Sequence, residues 1–598
     1  MKRIMKATLA AALALSLLCG VSLAESGGFG GFGGAPAATP EPIHKSAVPV
    51  VDEGGVYSLN AEDYADQWAL VTDEATGVSY YMLDVVYCAS PVDPTVEHMA
   101  IYAPEAYMQE ADGKVVKSAE GSVTSSNGVV YTADTAPILY TNTSGGYSSS
   151  AVQDVTIAYM QEGYVQVSVG ARGKDTVDAE DHYIGQLPLI MVDLKAGIRY
   201  LKANNDVLPG DAERIVSYGY SSGGAVGVML GASGNSAIYD GYLADIGAAD
   251  ATDDIFIVLG YCPITNLDSA DAAYEWFQAG NQEYFLFNAM AVDMYGNDIS
   301  DQITVGRGNF HPFGDNVLGG AHEDELAAKL YDWYVDYVQS WGFDLGDDGR
   351  NGAYFTGLVQ LYSDGLTQWL TRYDELTKPD KEKYPDAAAY VQHLYDDYGA
   401  DAWLELAEDG VTATITDYDV FMGNFISRNK MCPSLDSYNK ASNEGSAFVD
   451  ADGNRKHFSV LVRDLLGEMV EEYRDSDAFT AEEYDYIVRL ADAYAADVDD
   501  EATRLLEIMS PANYVLHDDA YWASTLAPHW RFHIGSADGD HGLPAAWLMH
   551  NALLTYAADE IEDSVIEVSW DQPHSPAEID VQDLYDYIDG IMADVLSE

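Results

Sequence analysis

The sequence is poor in basic residues, and this scarcity limits what the protein can bind. Among 598 residues, 29 lysines and arginines stand against 98 aspartates and glutamates, which gives a formal net charge of −69 at pH 7. A field of this sign repels phosphate backbones and anionic lipid surfaces. The composition therefore argues against a nucleic-acid partner, and the acidity is typical of the solvated surface of an exported protein.

Cysteine is also scarce. The four cysteines are Cys19, Cys88, Cys262 and Cys432, and the last three lie beyond a predicted leader segment. An odd and widely spaced set makes no disulfide framework, and none of these residues stands in a C-x-x-C or Cys/His zinc spacing. We therefore expect no structural metal.

Long apolar runs are missing beyond the N-terminus. Cationic residues at 2, 3 and 6 precede an apolar run over residues 7–18, and SLA at 22–24 supplies a small-x-small cleavage site. This pattern predicts a secretory signal peptide over residues 1–24 and hence a secreted or cell-surface protein. A lipid anchor at Cys19 is disfavoured because Leu18 stands where a small residue is expected. No later run is long enough to predict membrane insertion after cleavage.

The remaining chain divides into four predicted parts. Residues 25–60 form a Gly/Ala/Pro-rich linker. Over residues 61–262, predicted strands alternate with helices, which indicates a mostly parallel sheet covered on both faces. Long aromatic-rich helical patterns fill residues 263–527 and predict a helical lid insertion. The strand and helix rhythm resumes over residues 528–598 and completes the core.

A candidate nucleophile lies in the first part of the core. GYSSG at 219–223 follows a β-forming run and precedes a small, apolar helical run. A G-x-S-x-G motif between a strand and a helix is typical of the nucleophile elbow of the α/β-hydrolase fold. It makes Ser221 the candidate nucleophile and the Ser222 amide, at a helix N-terminus, a candidate oxyanion donor. A tight glycine turn without catalytic function is the alternative interpretation.

A second oxyanion donor is predicted upstream. The predicted strand PILYT at 137–141 runs into NTSGGY at 142–147. In α/β-hydrolases a loop after an early strand supplies the second oxyanion amide, and this position points to Gly146. Without that position in the strand order, the glycine pair would be read as a simple loop.

The general base and its carboxylate are expected after the last two core strands. Two aspartates follow the penultimate predicted strand, and we take Asp538 as the leading acid and Asp540 as its rival. His574 follows the last predicted strand and is the leading base, with His541 and His550 as alternatives. The predicted chemistry is acyl transfer by a serine, which requires neither a metal nor an organic cofactor.

Four stretches resemble one family, the bacterial tannases. They are GYSSGG at 219–224, WRFHIGSADGD at 530–540, WDQPHSPAEIDVQDLYDYID at 570–589, and a lid segment with KMCPSLD at 430–436 and SNEG at 442–445. The resemblance implies an α/β-hydrolase fold with a large helical lid insertion. It also implies a catalytic triad of Ser221, Asp538 and His574.

The resemblance further implies that Lys430, Glu444 and Asp540 bind the hydroxyl groups of a galloyl ring. Three vicinal phenolic hydroxyls require several converging charged or polar groups. Such a pocket would reject an acyl ring that lacks them, because its own charges would be left unpaired. A surface ion pair is the alternative interpretation of Lys430 and Glu444.

The expected substrate is therefore a small phenolic ester of the galloyl type. A feruloyl or broad-specificity carboxylesterase of the same fold is the first alternative. A serine exopeptidase and a catalytically silent surface binding protein are the others. The sequence makes no prediction of the oligomeric state.

Overall fold

The structure, a computed structural model, describes residues 49–279, 321–377 and 380–597, apart from the isolated positions 427, 429, 431, 439, 441, 518, 541, 576 and 577. The predicted signal peptide (residues 1–24), Cys19, residues 25–48 of the predicted linker, and His541 lie outside the described residues. The boundaries predicted for the linker, core and lid stay predictions.

Strands and helices are numbered here in chain order. The strands are Ala69–Thr72 (β1), Ser79–Val86 (β2), His98–Pro104 (β3), Met108–Ala111 (β4), Lys114–Lys117 (β5), Ser122–Thr124 (β6), Val130–Thr132 (β7), Ile138–Thr141 (β8), Val165–Val169 (β9), Ile215–Tyr220 (β10), Ile257–Tyr261 (β11), Leu404–Leu406 (β12), Ala413–Ile415 (β13), His529–Gly535 (β14) and Asp563–Ser569 (β15). The helices are Ile157–Glu162 (α1), Leu189–Ala203 (α2), Ser222–Ala232 (α3), Asp240–Asp245 (α4), Ala270–Phe277 (α5), Ala321–Ser340 (α6), Ala353–Thr371 (α7), Ala387–Tyr398 (α8), Tyr418–Phe425 (α9), Val460–Glu472 (α10), Ala481–Asp497 (α11), Asp500–Ile508 (α12), Asn513–Leu516 (α13), Gly542–Tyr556 (α14) and Val581–Ser597 (α15).

The central sheet has nine strands in the order β1-β2-β3-β9-β8-β10-β11-β14-β15. The pairs from β1 to β9 are antiparallel, and those from β9 through β8, β10, β11 and β14 to β15 are parallel. An antiparallel edge on a parallel sheet with helical crossovers is the α/β-hydrolase architecture predicted from the sequence, and the prediction is confirmed. The carboxyl ends of β10, β11, β14 and β15 therefore lie at one edge of the sheet.

Two strands at the centre of the sheet, β9 and β11, are covered on both faces. Every residue of β9 and of β11 is buried, as expected for strands covered on both faces. Helix α3 is buried along its whole length and packs on the sheet with small residues. A Cβ placed on Gly231 would lie 2.2 Å from Val258 Cγ2 and 2.9 Å from Trp530 Cη2. Glycine therefore allows the last turn of α3 to lie close against β11 and β14.

Helices α5 to α13, which the structure describes between residues 270 and 516, separate β11 from β14 along the chain. They share one hydrophobic core with the sheet. Helix α7 lies directly on β15, because a Cβ on Gly365 would be 2.3 Å from Val568 O. This contact holds the helical segment at the edge strand whose end leads to His574.

The strand predicted at 137–141 is β8, and the predicted strand, turn and helix around GYSSG are β10, the Ser221 turn and α3. Three short hairpins, β4–β5, β6–β7 and β12–β13, were not predicted. Their strands have three or four residues each, which is too short for a two-residue periodicity to stand out. In the part of the chain that the structure describes, no helix combines the length and apolarity needed to cross a membrane.

Candidate active site

Ser221 lies at the turn between β10 and α3 in a strained backbone conformation. Its φ is 58° and its ψ is −129°, a region that residues other than glycine rarely adopt. Its N–H donates to Tyr261 O at 3.0 Å, and its carbonyl accepts from Ile264 N at 3.2 Å. A Cβ on Gly219 would lie 2.3 Å from Gly223 O, so the turn closes only around glycine. The neighbouring chain thus fixes the elbow that the motif predicts.

His574 and Asp538 form a hydrogen-bonded pair at the same edge of the sheet. Asp538 follows β14 and His574 follows β15, and His574 Nδ1 lies 3.0 Å from Asp538 Oδ2. The other oxygen of Asp538 accepts the Asp540 N–H at 2.8 Å. Because an ionised carboxylate only accepts hydrogen bonds, Nδ1 is the donor and Nε2 is left as the basic nitrogen. This tautomer suits a general base.

Electrostatics couple the two residues. Burial lowers the pKa of His574. The negative charge of Asp538 and its hydrogen bond outweigh burial and hold that pKa well above its ordinary value. Burial raises the pKa of Asp538, while the charge and hydrogen bond of His574 lower it, and the net shift is downward. Tyr220, which precedes Ser221, has its ring centroid 6.1 Å from that of His574. The ion pair therefore lies beside the elbow.

The predicted oxyanion residues are also brought together. The Ser222 hydroxyl donates to Ser144 O at 2.6 Å and accepts from Tyr147 N at 2.9 Å. Gly146 lies between these two contacts, with φ at 61° and ψ at 25°. Ser222 is the first residue of α3, where backbone N–H groups have no partner within the helix. Its side chain thus joins the start of α3 to the glycine loop.

A cluster of charges surrounds the His574–Asp538 pair. Lys430 Nζ lies 3.7 Å from Glu444 Oε1, and Asp540 Oδ2 lies 3.8 Å from His574 Nδ1. Burial lowers the pKa of Lys430, but the charges of Glu444, Asp540 and Asp538 raise it, and the net shift is upward. The three predicted substrate-binding residues therefore share one site with the predicted acid and base.

This arrangement places hydrogen-bond acceptors and a donor in one cluster. The carboxylates of Glu444 and Asp540 can accept hydrogen bonds, and the ammonium of Lys430 can donate them. Charge-assisted hydrogen bonds of this kind are roughly twice as strong as neutral ones.

Comparison with known proteins agrees with this geometry. A tannin acyl hydrolase from Lactobacillus plantarum superposes with a TM-score of 0.64 at 27% sequence identity, covering 88% of this chain and 98% of that chain. The tannase of Fusobacterium nucleatum gives 0.66 at 26%, covering 90% and 100%. A tannin acyl hydrolase in complex with ethyl gallate gives 0.63 at 27%, covering 88% and 97%. The chain has the α/β-hydrolase fold and is similar to bacterial tannases over most of its length.

Sequence comparisons add to this result. The family model described as BD-FAE matches residues 141–295, a range that includes the Ser221 turn. No curated protein sequence matches the chain significantly. The structural neighbours and the family model together support a carboxylic ester hydrolase, and they confirm the resemblance found in the sequence.

Two of the residues left open by the sequence can be compared directly. Asp540 lies farther from His574 Nδ1 than Asp538 does, at 3.8 Å against 3.0 Å, so Asp538 is the closer partner. His550 Nδ1 instead faces Ser564 Oγ at 2.9 Å, and burial lowers the pKa of His550 to about 4. The imidazole of His550 is thus a neutral group on α14.

Cys262 also lies in the site, although no sequence motif marks it. It follows β11 with φ at 42°, and its Sγ donates to Ser575 O at 3.5 Å. One ligand atom each of Cys262, Asp538 and His574 lies within 4.8 Å of the others. Thiolate, carboxylate and imidazole can hold a metal ion, but here His574 and Asp538 use their atoms in a direct hydrogen bond. Cys262 reaches the site because β11 lies beside β10 in the sheet, and that order is visible only in the assembled structure.

A buried network beneath the His574 loop was also missed. Arg531 Nη1 and Nη2 donate to Glu578 Oε1 and Oε2 at 2.6 and 3.1 Å. Arg531 belongs to β14, and Glu578 lies four residues beyond His574. This fork-shaped contact ties the His574 loop to the strand that carries Asp538. Arg531 and Glu578 lie in two of the stretches that resemble the tannases, at 530–540 and 570–589. Only the contact between them shows that they hold the His574 loop in place.

Tyr274 connects the helical segment to the acid loop. Its hydroxyl donates to Gly539 O at 2.8 Å and accepts the Lys430 N–H at 3.2 Å. The backbone of Lys430 is thereby held beside the turn that separates Asp538 from Asp540. No sequence pattern distinguishes Tyr274 from the 42 other tyrosines among the chain's 43.

Proposed function

We propose that this protein is a serine carboxylesterase that hydrolyses phenolic esters of the galloyl type. Ser221 is the nucleophile, His574 the general base and Asp538 the carboxylate that orients it. Residues 263–527 form a lid that supplies Lys430 and Glu444 to the acyl pocket.

The reaction proceeds by acyl transfer. His574 Nε2 takes the Ser221 hydroxyl proton while Oγ attacks the ester carbonyl, and the Asp538 carboxylate stabilises the resulting imidazolium. The amides of Ser222 and Gly146 donate to the tetrahedral oxyanion. His574 then returns the proton to the leaving alcohol as the C–O bond breaks. Water, deprotonated by His574, cleaves the acyl-enzyme and releases the acid and Ser221.

One observation carries the proposal. Ser221 stands in a strained turn at the end of β10, and the hydrogen-bonded residues Asp538 and His574 follow β14 and β15. These strands are parallel and end at the same edge of the sheet. Backbone strain of order 1–3 kcal/mol persists where the surrounding structure imposes it, and such strain clusters at active sites.

The acyl specificity is supported by the charges around the site. The half-buried Lys430, together with Glu444 and Asp540, suits a ring with adjacent hydroxyl groups. A similar protein of known structure is recorded in complex with ethyl gallate. Hydroxyl groups that satisfy buried charges give strong discrimination, of roughly 10⁴–10⁵-fold in favourable cases.

The predicted signal peptide supports secretion or display at the cell surface. A secreted esterase would meet phenolic esters outside the cell, where an acidic surface keeps it soluble. N-terminal sequencing of the exported protein would test this part of the proposal, since cleavage after Ala24 is expected.

A substrate screen with the purified mature protein tests the function. We expect kcat/KM for methyl gallate to exceed that for methyl benzoate and methyl ferulate by at least two orders of magnitude. Comparable rates on all three would leave an esterase of broad specificity. Absence of hydrolysis and of labelling by a fluorophosphonate would instead indicate a silent binding protein.

A further inference from the structure

Lys174 lies where three segments around the site meet. Its backbone N–H donates to Tyr147 O at 2.9 Å, and Tyr147 belongs to the glycine loop of the oxyanion site. Its Nζ donates to Asn443 Oδ1 at 3.0 Å and to Asn443 O at 3.3 Å. Asn443 immediately precedes Glu444. One lysine therefore contacts both the oxyanion loop and the segment that carries Glu444.

The acyl-binding segment, residues 442–446, packs directly on that loop. A Cβ placed on Gly146 would lie 3.0 Å from Asn443 Cγ. The segment is a compact turn, since Gly445 N donates to Ser442 Oγ at 3.0 Å and Ser446 N donates to Ser442 O at 3.1 Å. A shift of Asn443 would therefore carry Glu444 with it.

The ammonium of Lys174 is partly removed from water. Burial lowers the pKa of Lys174, while the negative charge of Glu444 opposes that shift. The contacts with Asn443 replace hydration that the ammonium has lost, so they hold the side chain in place. The charge of Glu444 thus acts on two ammonium groups, since it opposes the lowering of the pKa by burial in both Lys174 and Lys430.

We propose that Lys174 is a positioning residue that holds Glu444 at the acyl pocket through Asn443. The inference rests on the proposed function and deepens it, because it makes recognition of the ring hydroxyls depend on a residue of the core loop after β9. The backbone contact between Lys174 and Tyr147 is independent of the side chain. Replacing the side chain therefore disturbs Glu444 without removing the hydrogen bond that Lys174 makes to the oxyanion loop.

The kinetic test compares Lys174→Met and Lys174→Arg with methyl gallate and with p-nitrophenyl acetate, whose acyl group has no ring. Loss of a charged hydrogen bond predicts about a tenfold or greater rise in KM for methyl gallate in Lys174→Met, with kcat nearly unchanged. Hydrolysis of p-nitrophenyl acetate stays unchanged, and Lys174→Arg recovers most of the affinity. Adding Asn443→Ala to Lys174→Met produces no further loss, because the lysine acts through that residue.

A matched control is Lys117→Met. Lys117 is also part-buried and donates to a backbone carbonyl, that of Asn205, at 3.0 Å, with Asp134 as its ion-pair partner. We expect normal kinetics on both esters in this variant. An equal loss on both esters in Lys174→Met would overturn the inference, because a role in overall folding would produce it.

Amide hydrogen exchange provides a readout that needs no substrate. In Lys174→Met, exchange over residues 442–448 is expected to be faster than in the wild type and in Lys117→Met, whereas residues 530–535 keep their protection. Unchanged exchange over residues 442–448 would overturn the inference whatever the kinetics. Failure of wild-type protein to hydrolyse methyl gallate would instead contradict the proposed function, and the exchange result would still decide the role of Lys174.

Discussion

His574 Nδ1 and Asp538 Oδ2 lie 3.0 Å apart, although 36 positions separate the two residues in the chain. Both follow strands that run side by side in parallel, with Gly535 of β14 opposite Ser569 of β15. The pairing of these strands therefore sets the distance between the proposed base and its carboxylate.

The first prediction concerns pH. Base catalysis needs neutral His574, and Asp538 raises the pKa of that imidazole above its ordinary 6.5. We expect kcat/KM to rise with pH through an apparent pKa above 6.5. In Asp538→Asn that pKa falls, and the rise moves to lower pH, while kcat drops by roughly 10³–10⁴-fold because the tautomer is no longer fixed. Steady-state kinetics from pH 4 to about 9 measure both effects; a profile that does not move would contradict the pairing.

The same pair predicts a pH window for stability. Asp538 has a lowered pKa, so its contribution is present above the unfolded value near 3.8 and is lost as pH falls through the folded pKa. The pKa of His574 is raised, so its contribution is complete below the unfolded value near 6.5 and is lost as pH rises through the folded pKa. Urea denaturation should therefore show that Asp538→Asn destabilises the protein most between pH 3.8 and pH 6.5, the unfolded pKa values of the two groups.

Replacement of Ser221 by alanine tests the nucleophile. We expect at least a 10³-fold loss of kcat on methyl gallate and no labelling by a fluorophosphonate. The fold should survive, because Ser221 is held through its backbone. A chain that keeps its far-ultraviolet circular dichroism but still turns over substrate would remove the assignment.

Glu444→Gln tests the acyl pocket. The substitution keeps the shape but removes the charge that lies 3.7 Å from Lys430. We expect KM for methyl gallate to rise by about 10- to 100-fold, since a charged hydrogen bond contributes about 1.5–3 kcal/mol, with little change on p-nitrophenyl acetate. Glu472→Gln is the matched control, because Glu472 pairs with Lys329 at 2.8 Å while half exposed. The same effect in both variants would argue against a specific pocket.

Gly146→Ala tests the oxyanion loop. Gly146 has a positive φ of 61°, and a Cβ there would press against Asn443 at 3.0 Å. We expect kcat to fall by about 10²-fold, the size of effect seen when one oxyanion donor is lost. Gly145→Ala is the control, because a Cβ at Gly145 meets no described atom within 4 Å. Equal activity of the two variants would show that the loop takes no part in catalysis.

Part of this molecule could be predicted from local sequence alone. Strand β11 (IVLGY) lacks polar side chains apart from one tyrosine, and the Ser221 elbow is a contiguous motif, so the physics that forms them acts between near neighbours. The order of strand ends then pointed to Asp538 and His574. Lys430 and Glu444 required the family resemblance, because a lysine and a glutamate in the irregular segment between α9 and α10 have no distinctive pattern.

The remaining site residues depend on contacts between distant segments. Lys174 and Asn443 are 269 positions apart in the chain, and nothing near either residue signals the other. Cys262 enters the site because β11 lies between β10 and β14, an order that becomes visible only when the sheet is assembled. Such residues are specified by topology rather than by periodicity.

The pairing of β11 with β14 has a consequence for synthesis. The chain completes the Ser221 turn long before it reaches β14 and β15, whose ends carry Asp538 and His574. Under the proposed mechanism, a growing polypeptide therefore holds Ser221 without the proposed base and its carboxylate until the final two strands have docked. Truncation anywhere before residue 574 would remove the proposed base, so the shortened chain is expected not to hydrolyse esters.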